Sequence, residues 1–177
     1  VLNAEQETAF ESYIRSGGGF VGIHAAADTE YEWPFYAMLV GAYFKSHPQV
    51  QRAEIDVLTH DHPSTAHLPE RWVRVDEWYC FRSQPHDGVT RLLNIDESTY
   101  QGGTMGEEHP IAWYQTVDAG RAFYTAGGHT SEAFEEPDFL QHILGGILWS
   151  VGEPGTTPTA YQTHKEAHHP CDTCAGG

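Results

Sequence analysis

The first constraint on the fold comes from a glycine-rich boundary near the start of the chain. Residues 4–15 carry apolar side chains at helical spacing, and the three glycines at 17–19 end that helix. Residues 20–23 then form the short, continuous apolar run that is typical of a buried parallel strand. The run ends on His24 and passes into a turn of small and polar residues. This order of helix, strand and polar turn predicts an α/β protein, in which helices and strands pack in layers.

The rest of the chain continues with elements of both kinds. Asn3 and Gln6 have the spacing of a capping box at the start of the first helix. Further helices are predicted over residues 34–40 and 138–151, and strands over 53–57, 72–79, 89–95, 111–117 and 121–126. Gly145 and Gly146 lie inside the last helix, where each costs about 1 kcal/mol relative to alanine. A close approach of this helix to the sheet would explain them.

Length and charge limit the domain count and the partners. The 177 residues fit one domain, which we expect at residues 1–152, followed by a flexible tail or linker rich in glycine, proline and histidine at 153–177. Nine lysines and arginines face 25 aspartates and glutamates, which gives a net charge of −16. Binding to phosphate backbones or anionic lipid needs clustered cations. We therefore expect a soluble protein, with no nucleic-acid partner and no membrane insertion, and secreted, periplasmic and cytoplasmic locations all stay open.

Histidine is the unusual residue of this acidic chain, because its 12 copies outnumber lysine and arginine together. His24 and Asp28 follow the first predicted strand, Glu77 closes the third, and His129 follows the last. In open α/β sheets, ligands bind beyond the carboxyl ends of the strands. We therefore expect these side chains to converge in space although they are far apart in the sequence.

Two kinds of chemistry suit such a convergence. Neutral imidazoles with one carboxylate bind divalent cations such as zinc or manganese, and the metal set we predict is His24, His47 and His129. Without a metal, His24 and His129 would exchange protons with a substrate near neutral pH, with Glu77 as the third catalytic residue. Spacing alone does not separate these alternatives. The acids and aromatics at residues 76–79 add the features of a sugar site, where carboxylates bind hydroxyls and rings cover apolar faces.

Five separated motifs together resemble the ThuA-like (trehalose-utilisation) family: residues 17–26, 46–48, 76–79, 109–113 and 127–130. The resemblance runs from residue 1 to about 152. It implies the class I glutamine amidotransferase-like superfamily, with a flavodoxin-like three-layer sandwich, a mostly parallel sheet and helices on both faces. Family members normally begin with a strand and a helix that this sequence lacks.

The resemblance also identifies one departure from true amidotransferases. The position of their nucleophilic cysteine, after the glycine-isoleucine strand, is occupied by His24. His129 and Glu132 look like the histidine and glutamate of the amidotransferase triad. Without a thiol there is no acyl intermediate, so glutaminase activity is not expected.

The family is associated with disaccharide catabolism in which a partner dehydrogenase makes a 3-keto sugar. A ketone at C3 acidifies the proton at C2, so a base removes it, the C1 substituent leaves and water adds. The resemblance thus implies a lyase or hydrolase acting on a 3-keto disaccharide or glycoside, and the substrate-binding residues expected are Asp28, Trp78, Tyr79, His109, Trp113 and Tyr124. A non-catalytic carbohydrate-binding or accessory domain is the alternative, and a homo-oligomer stays open.

Overall fold

Three α-helices and eight β-strands form the part of the chain that the structure, a computed structural model, describes, namely residues 1–152. In chain order these are α1 (Ala4–Arg15), β1 (Gly19–Ile23), α2 (Pro34–Val40), β2 (Phe44–Ser46), β3 (Gln51–Val57), β4 (Arg71–Asp76), β5 (Cys80–Phe81), β6 (Thr90–Ile95), β7 (Pro110–Val117), β8 (Gly120–Thr125) and α3 (Pro137–Ser150). The tail predicted at 153–177 lies outside the described residues.

Most predicted elements are confirmed, with differences at their ends. The capping box is present, because the Asn3 side chain accepts from the Gln6 amide and the Gln6 side chain accepts from the Asn3 amide. The strand predicted over 72–79 ends earlier, at Asp76, and β5 resumes at Cys80. The short strand β2, which pairs with β5, was not predicted.

The main sheet is mixed, so the prediction of a mostly parallel sheet is wrong. Its six strands have the order β1-β8-β7-β6-β3-β4, and only the β1–β8 pair is parallel. A short connection explains one of the antiparallel pairs. Two residues join β7 to β8, and a tight turn allows antiparallel pairing, whereas a parallel pair needs a crossover of a dozen residues or more. The turn signal at residues 118–120 already indicated this hairpin, whereas the 13 residues between β3 and β4 are long enough for either direction.

Helices α2 and α3 contact opposite faces of the sheet. The Trp113 indole donates to the Val40 carbonyl at 2.9 Å, which places α2 on one face of β7. On the other face, a β-carbon at Gly146 would lie 2.4 Å from the Phe123 ring of β8, so the predicted close approach of α3 to the sheet is confirmed. A three-layer, flavodoxin-like sandwich over the whole sheet stays a prediction. Within residues 1–152, no helix has the length and apolar character needed to cross a membrane.

Two buried histidines lie between α3 and the sheet. His142 is fully buried, and its ring contacts the Ser64 carbonyl at 2.9 Å and the Thr125 hydroxyl at 3.1 Å. His62 stacks on Tyr114 and Phe123, with ring centroids 4.5 and 5.9 Å away. Burial lowers the pKa of His142 to about 3 and the pKa of His62 to about 4. Both rings are therefore neutral in the folded protein near neutral pH.

These two rings predict a loss of stability in mild acid. Below about pH 6.5 the unfolded chain binds a proton at both histidines while the folded chain does not. The free energy of unfolding therefore decreases as the pH is lowered. The slope is up to about 1.4 kcal/mol per pH unit for each histidine, and it ends near pH 4 for His62 and near pH 3 for His142. Urea unfolding measured from pH 7.5 to 5 tests this. A flat stability over that range would contradict it.

Candidate functional site

The candidate site lies where three strands end at the same edge of the sheet. Strand β4 runs in the same direction as β8, because four successive antiparallel pairs separate the two, and β1 is parallel to β8. His24 follows β1, Glu77 follows β4 and His129 follows β8. Although β1 and β4 are the two outer strands, the sheet curls, and these three side chains meet.

Three ligand atoms form a tight triangle at this point. His24 Nε2 lies 3.2 Å from Glu77 Oε2 and 3.2 Å from His129 Nδ1, and the third side, from His129 Nδ1 to Glu77 Oε2, is 3.4 Å. His24 and Glu77 are buried, while the His129 side chain is 45% exposed. One member of the cluster therefore faces solvent, where a ligand can enter.

The backbone and one hydrogen bond orient the His24 ring. Its Nδ1 lies 2.7 Å from the Ala126 carbonyl, which only accepts, so Nδ1 carries the proton and Nε2 presents a lone pair to the cluster. His24 has a φ of +46°, in the left-handed region that costs a non-glycine residue about 1–3 kcal/mol. The Tyr124 hydroxyl donates to the His24 carbonyl at 3.0 Å and holds this conformation.

The triangle fits a divalent cation. Tetrahedral zinc binds nitrogen and oxygen ligands at about 2.0–2.1 Å, which places two ligands about 3.3–3.4 Å apart. The three sides of the triangle, between 3.2 and 3.4 Å, have that length. Two imidazoles and one carboxylate are also a donor set of catalytic zinc sites, in which a fourth position takes water or substrate. Among residues 1–152, this is the one group of three such side chains close enough to share an ion.

His47, predicted as a metal ligand, lies outside this triangle. Its Nδ1 is 2.9 Å from Glu77 Oε1, the carboxylate oxygen that the triangle does not use, and 2.9 Å from the Pro48 carbonyl. Glu77 replaces it in the ligand set that the geometry supports. The His47 ring is 44% exposed and lines an open depression of about 440 Å³ together with Pro48, Gln49, Val50 and Glu77. Sequence reasoning did not find Gln49 or Val50, which carry no chemical signal.

Asp76 connects two of the three cluster residues through their backbones. Its Oδ1 accepts from the Glu77 amide at 2.9 Å and from the His129 amide at 3.1 Å, and its Oδ2 accepts from the Gly128 amide at 2.8 Å. The Arg74 guanidinium lies 3.2 Å from Oδ2. The sequence showed Asp76 beside Glu77 but gave no sign of this role, because the Gly128 and His129 amides that it binds are more than 50 residues away in the chain.

Tyr79 covers one side of the cluster. Its ring lies over His24 with centroids 4.0 Å apart, and burial, with smaller effects of the Glu77 and Asp28 carboxylates, raises the pKa of Tyr79 to about 12. Its hydroxyl is therefore neutral near neutral pH. Behind it, fully buried His109 donates from Nε2 to the Tyr79 carbonyl at 2.8 Å, and burial lowers the pKa of His109.

Most predicted sugar contacts are core residues in this structure. Trp78, His109, Trp113 and Tyr124 are at most 1% exposed. Their polar atoms bind other protein groups, as the Trp78 indole does in donating to the Gln51 carbonyl at 2.8 Å. These four side chains therefore belong to the core in this structure. Asp28 is exposed and accepts from the Tyr31 hydroxyl. The roles themselves stay predictions.

Glu132, the predicted counterpart of the amidotransferase glutamate, is exposed and points to its neighbour. Its Oε2 lies 3.3 Å from the Ser131 hydroxyl. The carboxylate beside the His129 ring is that of Glu77 instead. The acid partner of His129 therefore comes from the residue after β4 and not from the segment that follows His129.

The fold and site define a class: an α/β protein whose histidine and glutamate cluster is formed by residues just beyond the ends of three strands. The particular family follows from sequence, because the family model for ThuA, described as trehalose utilisation, matches residues 1–150. The chain belongs to the ThuA family. A comparison with curated proteins finds no match.

Solved structures agree with this assignment. A ThuA-like protein from Bacteroides uniformis is 28% identical, with a TM-score of 0.72 over 85% of this chain and 65% of that one. A ThuA-like protein from Parabacteroides merdae is 22% identical, with a TM-score of 0.73 over 86% and 67%. The chain thus spans about two thirds of these relatives. A β-galactosidase from Bacillus circulans shares the fold alone, at 13% identity and a TM-score of 0.56 over 84% of this chain and 21% of that one.

Proposed function

We propose that His24, Glu77 and His129 hold a divalent cation, zinc or manganese, and that the protein cleaves a 3-keto disaccharide or glycoside by proton abstraction and elimination. The observation that carries the proposal is the triangle of ligand atoms with sides of 3.2–3.4 Å beside an open depression. Membership of a family described as trehalose utilisation supports the sugar substrate. A bound cation would polarise the ketone oxygen and stabilise the negative charge that develops there.

The residues around the triangle supply the proton transfers. A base removes the C2 proton, the C1–O bond breaks, and the departing oxygen takes a proton to leave as an alcohol. Water then adds to the carbon–carbon double bond, so the overall reaction is hydrolysis. His47 is the best-placed base, because an Nδ1 proton donated to Glu77 Oε1 or to the Pro48 carbonyl leaves Nε2 free to accept. The same ring then returns the proton to the departing oxygen.

Two measurements test the proposal directly. Elemental analysis of the purified protein is expected to find one zinc or manganese ion per chain. Incubation with a 3-keto disaccharide is expected to release the alcohol half, and a chelator is expected to stop the release. Turnover that persists in chelator would favour metal-free acid–base chemistry on the same histidines, and no turnover in either condition would sink the enzymatic proposal.

The proposed role of His47 predicts a separation between metal binding and turnover. His47→Gln is expected to lower kcat about 10²–10⁴-fold, the usual contribution of a general acid–base, and to leave the bound metal in place. The pH dependence of kcat should also lose the limb that belongs to the base. His60→Gln, an exposed histidine bonded to the Thr65 carbonyl, serves as the control and should change neither quantity. Loss of the metal in His47→Gln would return this residue to the ligand set.

A non-catalytic carbohydrate-binding or accessory role is the second candidate. The observation that favours it is the likeness of this fold to about a fifth of a β-galactosidase chain, where it forms part of a larger protein. This role predicts sugar affinity without the cluster. Binding of disaccharides by calorimetry should then survive His24→Ala and His129→Ala, whereas the catalytic proposal expects both variants to lose turnover.

A further inference from the structure

We infer that Asp76 is the positioning residue of the site: it holds Glu77 and His129 at the separation that a shared cation requires. The inference rests on the proposed function for its metal and adds a residue to which no role has been assigned. The main observation is that one atom binds both residues. Asp76 Oδ1 accepts a hydrogen bond from the Glu77 amide at 2.9 Å and another from the His129 amide at 3.1 Å.

The sheet itself does not fix these two residues against each other. β4, which precedes Glu77, and β8, which precedes His129, are separated in the strand order by β7, β6 and β3. No backbone ladder therefore joins the ends of these two strands, and small changes in the curl of the sheet would alter the distance between them. The Asp76 carboxylate spans this gap with two hydrogen bonds, from the His129 amide at 3.1 Å and from the Gly128 amide at 2.8 Å, and its third comes from the Glu77 amide next to it in the chain.

The surroundings of Asp76 fix the position of its carboxylate. Its side chain is fully buried, and the Arg74 guanidinium lies 3.2 Å from Oδ2. Arg74 donates in turn to Glu136 at 2.7 Å and lies 4.1 Å from the centre of the Phe139 ring. A buried carboxylate with three amide donors and a guanidinium beside it has its oxygen atoms satisfied, and a carboxylate held by several such contacts has little freedom to rotate.

The alternative is that Asp76 only stabilises the fold, and matched variants separate the two roles. Groups that orient metal ligands typically change metal affinity about 10–100-fold when they are removed. Asp76→Ala is expected to weaken zinc or manganese binding by about that factor, and Asp76→Asn, which keeps one acceptor oxygen, by less. Ile14→Val in α1, fully buried and near the opposite end of β8, is the control, because it lowers stability without touching the site.

The experiment is a titration of the full chain with zinc or manganese alone, followed by calorimetry, beside thermal unfolding of each variant. Weaker binding in the Asp76 variants, with unchanged binding in Ile14→Val, supports the positioning role. Equal affinity in Asp76→Ala and the parent protein overturns it.

A second measurement keeps the inference separate from the proposed function. If the parent protein binds neither metal, the metal part of the proposed function fails, and amide hydrogen exchange then decides about Asp76. Faster exchange of the Glu77, Gly128 and His129 amides in Asp76→Ala, with an unchanged β7–β8 ladder, supports the link between the two strand ends. Unchanged exchange at these three amides overturns it.

Discussion

Replacing Glu77 by glutamine is expected to remove both metal binding and turnover. The substitution keeps the size of the side chain but takes away the one anionic ligand of the triangle, which lies 3.2 Å from His24 Nε2 and 3.4 Å from His129 Nδ1. Outer residues of metal sites already change affinity about 10–100-fold, so loss of a charged ligand should exceed about 100-fold. Calorimetric titration with zinc and the rate of 3-keto disaccharide cleavage measure the two effects.

The control for this variant is Glu132→Gln. Glu132 is the predicted counterpart of the amidotransferase glutamate, but it is exposed and lies beside Ser131. Metal affinity and turnover are expected to stay within about twofold of the parent protein, since surface substitutions rarely change more than about 0.5 kcal/mol. A large loss in Glu132→Gln with full activity in Glu77→Gln would show that the amidotransferase arrangement applies after all.

Replacing Gly145 by alanine is expected to destabilise the fold although alanine is the better helix former. A β-carbon at Gly145 would lie 2.4 Å from the Pro63 carbonyl group and 2.5 Å from Ser64 Cα, and these backbone atoms cannot rotate away. Separating α3 from this loop also strains the contact of His142 with the Ser64 carbonyl. Overpacking typically costs about 1–3 kcal/mol, and contact with rigid backbone favours the upper end, so a net loss of about 2 kcal/mol is left after the helix gain of about 1 kcal/mol.

Thermal unfolding checks the sign of this effect. A loss of about 2 kcal/mol would lower Tm by about 4–8 °C in a domain of this size. Leu144→Ala, on the exposed side of the same helix, is the control and should change Tm little, because its side chain is 52% exposed. A rise in Tm for Gly145→Ala would mean that the loop yields and that helix propensity dominates.

The local elements of the fold were predictable because their causes are local. The capping pair Asn3 and Gln6, the glycine stop at 17–19 and the apolar run before His24 act through neighbouring residues, and the structure has the elements where these signals place them. Strand direction was not predictable in this way. Whether two strands pair in parallel or antiparallel depends on how the connections cross in space, and the mixed sheet follows from that.

The candidate site was predictable in part. His24, Glu77 and His129 were found because each follows a strand, and residues at strand ends converge when the strands run in the same direction. Trp78 and Trp113 were expected at a sugar but lie in the core, since the residue types of an aromatic ligand contact and of a core contact are the same. Only the packing of neighbours decides which of the two an aromatic residue becomes.

The sequence by itself determined the class of the fold, the family and the kinds of side chain at the strand ends. The tertiary structure alone decided which of these side chains share a site, because the curl of the sheet brings the outer strands β1 and β4 together. It also assigned Glu77 rather than His47 to the triangle, and gave Asp76 its position between two ligand residues. Such assignments depend on distances of a few ångströms between residues far apart in the chain, and local sequence patterns do not carry that information.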